Sequence, residues 1–346
     1  MTNDAIISFE SSIKKALGII DKLSGNTLFI VNENNQAIGS ITDGDIRRGL
    51  LNGFELKDSV TKVMSKNFKF LAESDYSLKK IKELKVLNIN FVPVLSANGI
   101  IVRLIDLNKI KSILPLEAVI MAGGRGSRLS PLTDNTPKPL LKIGGKTIIE
   151  YNIDRLISYG IRKIYISVNY LKDQLIEYIG DGSSKGIQIE YIEEEDMSGT
   201  LGSATYVDQY GTSDILLMNS DLLTNIDFED LFECYIKNDA EMVVASVPYE
   251  VSIPYGILET NDENVIQSLH EKPTYTYYSN AGIYIIKTSC LKEIPQRSFY
   301  NATDLIEKLI EENRRVVNFA IVDYWLDIGK PKDFQKAQQD VNHIQF

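Results

Sequence analysis

An apolar run that opens into a glycine-rich loop constrains this chain most. Residues 118–121 read Ala-Val-Ile-Met, and the loop 122–128 reads Ala-Gly-Gly-Arg-Gly-Ser-Arg. The apolar run predicts a buried strand, and the glycines let the loop backbone approach a phosphate and turn N–H groups toward it. Two cations, Arg128 in the loop and Lys138 after it, supply charges that such an anion needs. The pattern indicates a site for a nucleoside triphosphate.

Three other kinds of loop carry glycines like these. A dinucleotide-binding loop requires G-x-G-x-x-G, but Leu129 stands at the third glycine position. A P-loop requires G-x-x-x-x-G-K-[ST], and residues 145–147 would end one, but Leu140 occupies its first glycine position. A purely structural tight turn stays open as an alternative. Several glycines, two arginines and a downstream Pro-Lys-Pro argue against it.

Strands and helices alternate along the chain from residue 117 onward. Apolar runs predict strands at 118–121, 163–168, 187–192 and 214–218, with helices at 147–159, 171–179 and 200–206 between them. This order predicts an α/β fold of three layers, with a mostly parallel sheet covered on both faces. Ligands of such sheets bind at the carboxyl ends of the strands. The glycine loop and Asp221 both follow strands, so we expect them to share one cleft.

The amino-acid composition disfavours several classes of partner and several types of catalytic site. The chain has 346 residues and a net charge of −10, which favours two domains and disfavours nucleic acid or an anionic membrane as a partner. No signal segment and no apolar run long enough to span a bilayer is visible, so we expect a cytoplasmic protein. Two histidines and two cysteines, in no motif, disfavour a histidine triad or a zinc site. The chemistry must then depend on carboxylates, cations and positioning.

Residues 1–113 contain two similar units, at about 1–56 and 57–113. In each unit an amphipathic helix precedes two strands joined by a short turn, with strands at 27–31, 37–42, 91–95 and 100–104. Each unit is too small to bury a sizeable core alone, so we expect the two to pack together. A short linker with one proline, 111–116, leads to a second domain at 116–346.

The two units resemble a tandem pair of cystathionine-β-synthase-type (CBS) domains. Residues 39–45, Gly-Ser-Ile-Thr-Asp-Gly-Asp, match the nucleotide-contacting pattern of that family. The resemblance implies that Thr42 meets a phosphate and Asp45 the ribose hydroxyls of an adenine nucleotide. The second unit keeps Asp106 but has no Thr or Ser at the equivalent place. A structural or dimerising module that binds nothing stays equally open, and the self-association of CBS pairs implies a homo-oligomer.

The loop 123–129 with Pro-Lys-Pro at 137–139 resembles the signature of the sugar-1-phosphate nucleotidyltransferases, or nucleoside-diphosphate-sugar pyrophosphorylases. The resemblance covers about 116 to the C-terminus, and a serine replaces the usual threonine of the loop. It implies a Rossmann-like domain of the GT-A type. In it, Arg128 and Lys138 hold the triphosphate, and the loop residues that bind the nucleotide are Gly123, Gly124, Gly126 and Ser127.

The same resemblance implies a Mg²⁺ site made by two aspartates. Asp221 corresponds to the aspartate that holds the metal in the family, and Asp327 lies in a segment that matches W-x-D-x-G at 325–329. Mg²⁺ prefers oxygen ligands and keeps some waters and phosphate oxygens, which suits two carboxylates. Taken alone, Asp221 could instead cap a turn and Asp327 could lie on the surface.

Three further segments resemble the sugar-binding motifs of the family. Glu-Lys-Pro at 271–273 implies that Lys272 binds the sugar phosphate and Glu271 a sugar hydroxyl. Asn-Ala-Gly-Ile-Tyr at 280–284 implies that Asn280 lines the sugar pocket. Pro-Tyr-Gly at 254–256 places Gly256 near the hexose.

The segment 193–202 stands where relatives carry a base-reading segment that ends in P-L-G-T-A-G. Gly199 and Thr200 match, whereas Met197 and Ser198 replace the Pro-Leu pair. The alignment puts Glu193 at the position that contacts the base. A carboxylate only accepts hydrogen bonds, which suits the N1–H and N2 amine of guanine better than the carbonyls of uracil or thymine. GTP is therefore the expected nucleotide.

These motifs predict transfer of a nucleotidyl group to a sugar-1-phosphate, with pyrophosphate as the other product. The combined architecture resembles bacterial enzymes of legionaminic-acid-type glycan pathways, which implies glucosamine-1-phosphate as the acceptor. Mannose-1-phosphate or a heptose phosphate stays open. A hypothesis of another class is a CBS-linked nucleotide sensor that has lost catalysis, but the retained aspartates and cations argue against it.

Overall fold

The computed structural model describes residues 3–23, 27–73, 78–196 and 198–344. The chain divides into one unit of Met1–Leu114 with Ser158–Gly160 and another of Pro115–Ile157 with Ile161–Phe346. No helix among the described residues is both long and apolar enough to cross a membrane.

The first unit contains one strand arrangement twice. Its elements are β1 (Ile6–Ser8), α1 (Ile13–Ile20), β2 (Thr27–Val31), β3 (Ala37–Thr42), α2 (Asp43–Leu51), β4 (Leu71–Ala72), α3 (Leu78–Val86), β5 (Phe91–Leu95) and β6 (Ile101–Asp106). β1 is parallel to β2, which is antiparallel to β3, and β4, β5 and β6 repeat that order. Phe29 and Phe91, from the two repeats, stack with ring centroids 6.2 Å apart. The repeats therefore share packing, as their small size predicts.

A seven-stranded sheet organises the second unit. Its elements are β7 (Glu117–Met121), β8 (Lys142–Ile143), β9 (Lys146–Thr147), α4 (Ile148–Ser158), β10 (Lys163–Val168), α5 (Lys172–Ile179), β11 (Gln188–Glu193), α6 (Gly199–Gly202), β12 (Asp214–Asn219), β13 (Leu222–Thr224), α7 (Phe228–Lys237), β14 (Met242–Ser252), β15 (Ile257–Thr260), β16 (Ile266–His270), β17 (Thr274–Lys287), α8 (Thr288–Leu291), α9 (Ala302–Glu311), β18 (Val316–Ala320), β19 (Trp325–Asp327) and α10 (Pro331–Asp340). The sheet order is β11-β10-β7-β12-β17-β14-β18. The first four strands are parallel, and β17 is antiparallel to both of its neighbours. The predicted α/β fold with a mostly parallel sheet is confirmed.

The central strands are buried along nearly their whole length, as expected for parallel strands inside a sheet. Their ends are in register, because Met121 at the end of β7 lies opposite both Ser167 of β10 and Asn219 of β12. The loops that follow these strands therefore leave the sheet at one level. This edge carries the candidate site.

β14 and β17 continue beyond the sheet as a two-stranded arm. β18 pairs with β14 only from Met242 to Ser246, whereas the β14–β17 pairing continues as far as Ser252 and Thr274. The β15–β16 hairpin occupies the far end. We call residues 247–279 the arm. The sequence analysis found motifs in this region but did not predict its shape.

Candidate active site

A cleft of about 390 Å³ lies at the carboxyl ends of β7 and β12. The glycine loop forms one wall, and the residues after β12 and before α9 form others. The described residues that line it are Met121, Gly123, Gly124, Gly126, Ser127, Arg128, Lys138, Pro139, Ser167, Glu194, Ser198, Gly199, Thr200, Asn219, Ser220, Asp221, Phe299 and Asn301. Its position agrees with the rule for ligand sites in open α/β sheets.

Gly126 shapes the loop around Lys138. Its φ of 66° is left-handed, and a Cβ added there would lie 3.0 Å from the Lys138 Cβ. The Thr133 hydroxyl donates to the Gly126 carbonyl at 2.9 Å, and a short 3₁₀ helix, Ser127–Leu129, follows. Lys138 itself begins a second 3₁₀ helix and is 7% exposed. Glycine at 126 therefore allows a nearly buried lysine to pack beside the loop.

Two carboxylates from distant parts of the chain meet beside that lysine. Lys138 Nζ donates to Asp221 Oδ2. Asp327 in β19 lies opposite Leu222 in β13, and the Ile328 N–H donates to the Asp221 carbonyl at 3.0 Å. The β13–β19 pair therefore holds Asp327 next to Asp221.

Arg128 approaches the same carboxylates. A Cβ added at Gly329 would lie 3.4 Å from Asp327 Oδ2 and 3.5 Å from both terminal nitrogens of Arg128. Glycine at 329 thus leaves room for the guanidinium and the carboxylate side by side. The structure brings together the four charged residues that the sequence analysis assigned to the triphosphate and the metal.

The carboxyl group of Asp327 is perturbed by its surroundings. Burial raises its pKa most, and the negative charge of Asp221 raises it further, while the charges of Lys138 and Arg128 oppose the shift. One oxygen of each aspartate, Asp221 Oδ1 and Asp327 Oδ1, is buried and accepts no hydrogen bond from a described residue. Two buried carboxylate oxygens without donors fit a divalent cation. The described residues contain no group of three potential metal-ligating side chains, so the remaining ligands would be water or phosphate oxygens.

Glu194, rather than the predicted Glu193, lines the cleft. Glu193 ends β11, forms an ion pair with Lys172 and lines a separate groove. The next side chain points to the other side, as alternation along a strand requires. Glu194 Oε1 would lie 2.9 Å from a Cβ added at Gly123, and Glu194 Oε2 accepts from the Ser198 N–H at 3.1 Å. The structure does not bring Glu193 to the nucleotide loop.

Gly199 and Thr200 hold one wall of the cleft in place. Gly199 has φ of 76°, and a Cβ there would lie 2.6 Å from the Tyr300 carbonyl oxygen. That carbonyl accepts from the two N–H groups that follow Thr200, and the Thr200 hydroxyl accepts from the Ala302 N–H at 2.9 Å. Both residues line the cleft and also fasten this wall to the start of α9. The neighbouring substitution at Met197 lies outside the described residues.

The residues predicted for the sugar lie on the arm or at its base. Gly256, Glu271 and Lys272 are exposed, and Glu271 Oε2 lies 3.0 Å from where a Gly256 Cβ would stand. Asn280 Oδ1 accepts from the backbone N–H two residues later at 3.0 Å and from the Tyr284 hydroxyl at 2.9 Å. None of the four is among the described residues that line the cleft.

Some cleft residues belong to no functional motif that the sequence analysis identified. Asn219 ends β12, and its position at a strand end, two residues before Asp221, was the available signal. Phe299 and Asn301 precede α9, and Phe299 is 64% exposed. No periodicity or motif marked that loop in the sequence.

A second cavity, of about 620 Å³, lies in the first unit. Thr42 lines it together with Lys69 and aromatic side chains that include Phe29. Thr42 also caps α2, since its hydroxyl accepts from the Asp45 N–H while Asp45 Oδ2 accepts from the Thr42 N–H at 2.9 Å. Asp45 Oδ1 pairs with Arg48 at 2.6 Å. Both carboxylate oxygens of Asp45 are therefore used at the start of α2, and Asp45 is not among the described residues that line the cavity.

Comparison with known proteins identifies the family. The family model described as nucleotidyl transferase matches residues 117–343, and the CBS domain model matches residues 1–52. Glucose-1-phosphate adenylyltransferase from Bacillus cereus is 29% identical over 252 residues, which cover 65% of this chain and 67% of that protein. The Bacillus anthracis protein of the same name is also 29% identical over 252 residues, with the same coverage.

A solved structure of similar fold supports this family assignment. HddC from Yersinia pseudotuberculosis is 25% identical with a TM-score of 0.50, and the match covers 65% of this chain and 99% of HddC. The chain belongs to the nucleotidyl transferase family, as a sugar-1-phosphate nucleotidyltransferase with a CBS domain at its N-terminal end.

Proposed function

We propose that this chain transfers a guanylyl group from GTP to glucosamine-1-phosphate in the cytoplasm. Residues 116–346 would carry out the transfer, and residues 1–113 would form a tandem CBS pair. The observation that carries the reaction is the convergence of Arg128, Lys138, Asp221 and Asp327 beside the glycine loop.

The transfer needs alignment and charge neutralisation more than a strong base, because the acceptor phosphate is already an anionic nucleophile. Its oxygen attacks the α-phosphorus in line, a new P–O bond forms, and the electron pair of the α–β bridge leaves with pyrophosphate. Arg128 and Lys138 hold the triphosphate and neutralise the departing charge. Lys272 on the arm binds the attacking phosphate. When bound, Mg²⁺ held by Asp221 and Asp327 supplies positive charge at the phosphate oxygens.

Glu194 supports guanine as the base. Its carboxylate lies against Gly123 of the nucleotide loop, and a carboxylate can accept from both the N1–H and the N2 amine of guanine. Adenine offers only one donor on the corresponding edge, so the match is poorer. ATP is the second candidate, because the relatives from Bacillus are named adenylyltransferases.

The acceptor is proposed from the resemblance of the whole architecture and from Glu271. The Glu271 carboxylate lies against Gly256 on the arm, where it can accept from a hydroxyl or from the ammonium group of an amino sugar. Mannose-1-phosphate and heptose phosphates lack that ammonium group and are the alternatives.

Pyrophosphate release with each nucleoside triphosphate and a panel of sugar-1-phosphates tests this proposal directly. We expect the highest kcat/KM with GTP and glucosamine-1-phosphate. If pyrophosphate release were faster with ATP than with GTP, ATP would be assigned as the nucleotide. If it were faster with another sugar phosphate, that compound would be assigned as the acceptor. Absence of release with every pair would favour a nucleotide sensor without catalysis.

Replacing Glu194 with glutamine should lower kcat/KM for GTP about a hundredfold, equivalent to ~2.7 kcal/mol. In the glutamine variant an NH2 group replaces one carboxylate oxygen. This donor then faces a donor of guanine, which leaves buried polar groups unpaired. Glu193→Gln is the matched control, because Glu193 faces the separate groove, and we expect it to stay within about twofold of wild type. Equal effects of the two substitutions would contradict the assignment of Glu194.

An adenine nucleotide is proposed as the ligand of the cavity in the first unit, with Thr42 and Lys69 near its phosphate. Titration of AMP into the full chain by calorimetry should give binding that Lys69→Ala weakens about tenfold, because an ammonium–phosphate contact is lost. Lys66→Ala removes a nearby exposed lysine outside the described lining and should have no effect. No binding heat, or equal effects of the two substitutions, would refute the site.

A further inference from the structure

Phe299 is an exposed aromatic residue in the cleft that the proposed transfer does not use. It is the only aromatic residue among the described residues that line the cleft, and it is 64% exposed. A single exposed apolar residue elsewhere on the surface would need no explanation. Inside a cleft for a ligand, however, a phenyl ring gains free energy only when an apolar face covers it. The position of the ring therefore indicates a ligand with such a face.

Two glycines hold the segment that carries Phe299. A Cβ added at Gly202 would clash with the Ser298 carbonyl oxygen, and one added at Gly199 would lie 2.6 Å from the Tyr300 carbonyl oxygen. The residues on both sides of Phe299 can approach α6 so closely because neither position has a side chain. The backbone on each side of the ring is therefore packed against the wall of the cleft.

The neighbouring side chains are directed into the protein. Tyr300 packs against the core cluster that includes Leu201 and Leu305. On the other side, the Ser298 hydroxyl donates to the Pro295 carbonyl at 2.7 Å. Phe299 lies between these two anchored residues and lines the cleft. The fold therefore places this ring at the cleft wall instead of leaving it on a free loop.

The same wall carries the carboxylate that is proposed to read the base. The Tyr300 N–H donates to the Ser198 carbonyl at 2.9 Å, and the Ser198 N–H donates to Glu194 Oε2 at 3.1 Å. Two hydrogen bonds thus connect the backbone beside Phe299 to the Glu194 side chain. Both residues line one cleft of about 390 Å³. A base with its edge at Glu194 therefore leaves its flat face for a ring from this wall.

We propose that Phe299 stacks on the nucleobase of the triphosphate, an inference that rests on the proposed nucleotidyl transfer. Every base has a π-face, so stacking binds a base without reading its edge. A purine offers two fused rings to the phenyl group and a pyrimidine only one, so the contact favours GTP and ATP over UTP and CTP. Glu194 then distinguishes guanine from adenine by hydrogen bonds. Phe299 thus selects the size of the base, and Glu194 selects its edge.

The KM for the nucleotide tests this contact. Phe299→Ala should raise the KM for GTP about tenfold and keep kcat within about threefold of wild type, because the ring touches the base and not the reacting phosphates. Phe299→Leu should resemble Phe299→Ala, since leucine is apolar but has no π-face, whereas Phe299→Tyr should restore the wild-type KM. Phe70→Ala removes another exposed phenyl group, outside the described cleft lining, and should change the KM less than about twofold.

Phe299→Trp provides a measurement without turnover. The chain contains one tryptophan, Trp325, whose indole N–H donates to the Ala281 carbonyl at 3.0 Å, so the wild type supplies the background emission. Titration of GDP and of ADP with Mg²⁺ into the full-length variant should quench the introduced indole, because a stacked base quenches indole fluorescence. The midpoint of the quenching should equal the inhibition constant of the same diphosphate against the triphosphate.

The results distinguish the stacking from the identity of the nucleotide. Quenching of the Phe299→Trp variant by ADP but not by GDP would support the stacking and change the proposed nucleotide to ATP. No quenching beyond the wild-type background with either diphosphate would overturn the stacking. A wild-type KM in Phe299→Leu, equal effects of Phe299→Ala and Phe70→Ala, or a raised KM for the sugar phosphate alone would overturn it as well. Because the quenching needs no turnover, the stacking can be supported even if the proposed transfer is not observed.

Discussion

Replacing Lys138 with alanine is expected to lower kcat about a thousandfold, which corresponds to ~4 kcal/mol of transition-state stabilisation. Lys138 is nearly buried, its ammonium reaches Asp221, and its stem packs beside the glycine loop. A preorganised cation in such a cleft acts where charge accumulates on the departing pyrophosphate, and water cannot replace it at the same cost. Steady-state pyrophosphate release measures the loss.

The loss of the charge must be separated from a loss of fold. Lys138→Met keeps the aliphatic stem and removes only the ammonium. Its kcat should therefore be as low as that of Lys138→Ala, whereas its melting temperature should change less. Lys142→Ala removes an exposed lysine four residues later and should stay within about twofold of wild type. A rate for Lys138→Met within tenfold of wild type would contradict the role assigned to this lysine.

The convergence of Arg128, Lys138 and Asp221 could be predicted from the sequence because it follows from strand ends. Apolar runs marked β7 and β12 to within a residue, and parallel strands bring their carboxyl ends to one edge. The pairing of β13 with β19, which adds Asp327, joins segments about a hundred residues apart in the chain. No local pattern encodes that pairing, and only the family resemblance pointed to it.

The position of the base-reading carboxylate shows where pattern reasoning lost precision. A displacement of one residue moves a side chain to the other face of a strand. The contacts that turn Glu194 inward are the Asn169 amide on its carbonyl, at 2.7 Å, and the Ser198 N–H on its carboxylate. Asn169 and Ser198 lie outside the acidic run. The run by itself could therefore not show which of its carboxylates faces the cleft.

Thr42 and Asp45 illustrate a different difficulty, in which one pattern has two physical meanings. Thr-x-x-Asp before a helix is a capping box, and it is also the nucleotide-contacting pattern of the resemblance. The hydrogen bonds of Asp45 with Thr42 and Arg48 favour the structural meaning for the carboxylate. The shape of the arm was not predicted for a similar reason. Its strands alternate apolar with polar residues, and an ordinary half-buried strand has the same pattern.

Replacing Asp221 with asparagine is expected to lower kcat/KM by about three orders of magnitude and to abolish tight binding of a divalent cation. The substitution keeps the shape of the side chain but removes the charge and turns one oxygen into a donor group. Among the described residues, Asp221 Oδ1 and Asp327 Oδ1 are the two buried carboxylate oxygens that accept no hydrogen bond, so the loss of one should leave a site with a single carboxylate. Binding of Mn²⁺ to the nucleotide-free protein, followed by electron paramagnetic resonance, measures the second effect without turnover.

The control for Asp221→Asn is Asp173→Asn, which removes an exposed carboxylate from the first turn of α5, outside the described cleft lining. It should bind Mn²⁺ and turn over substrate like the wild type. Asp327→Asn should weaken Mn²⁺ binding as Asp221→Asn does, because both oxygens would coordinate one ion. If Asp221→Asn bound Mn²⁺ as tightly as the wild type, the unpaired oxygens would have to be explained by bound water instead, and the metal assignment for this pair would be wrong.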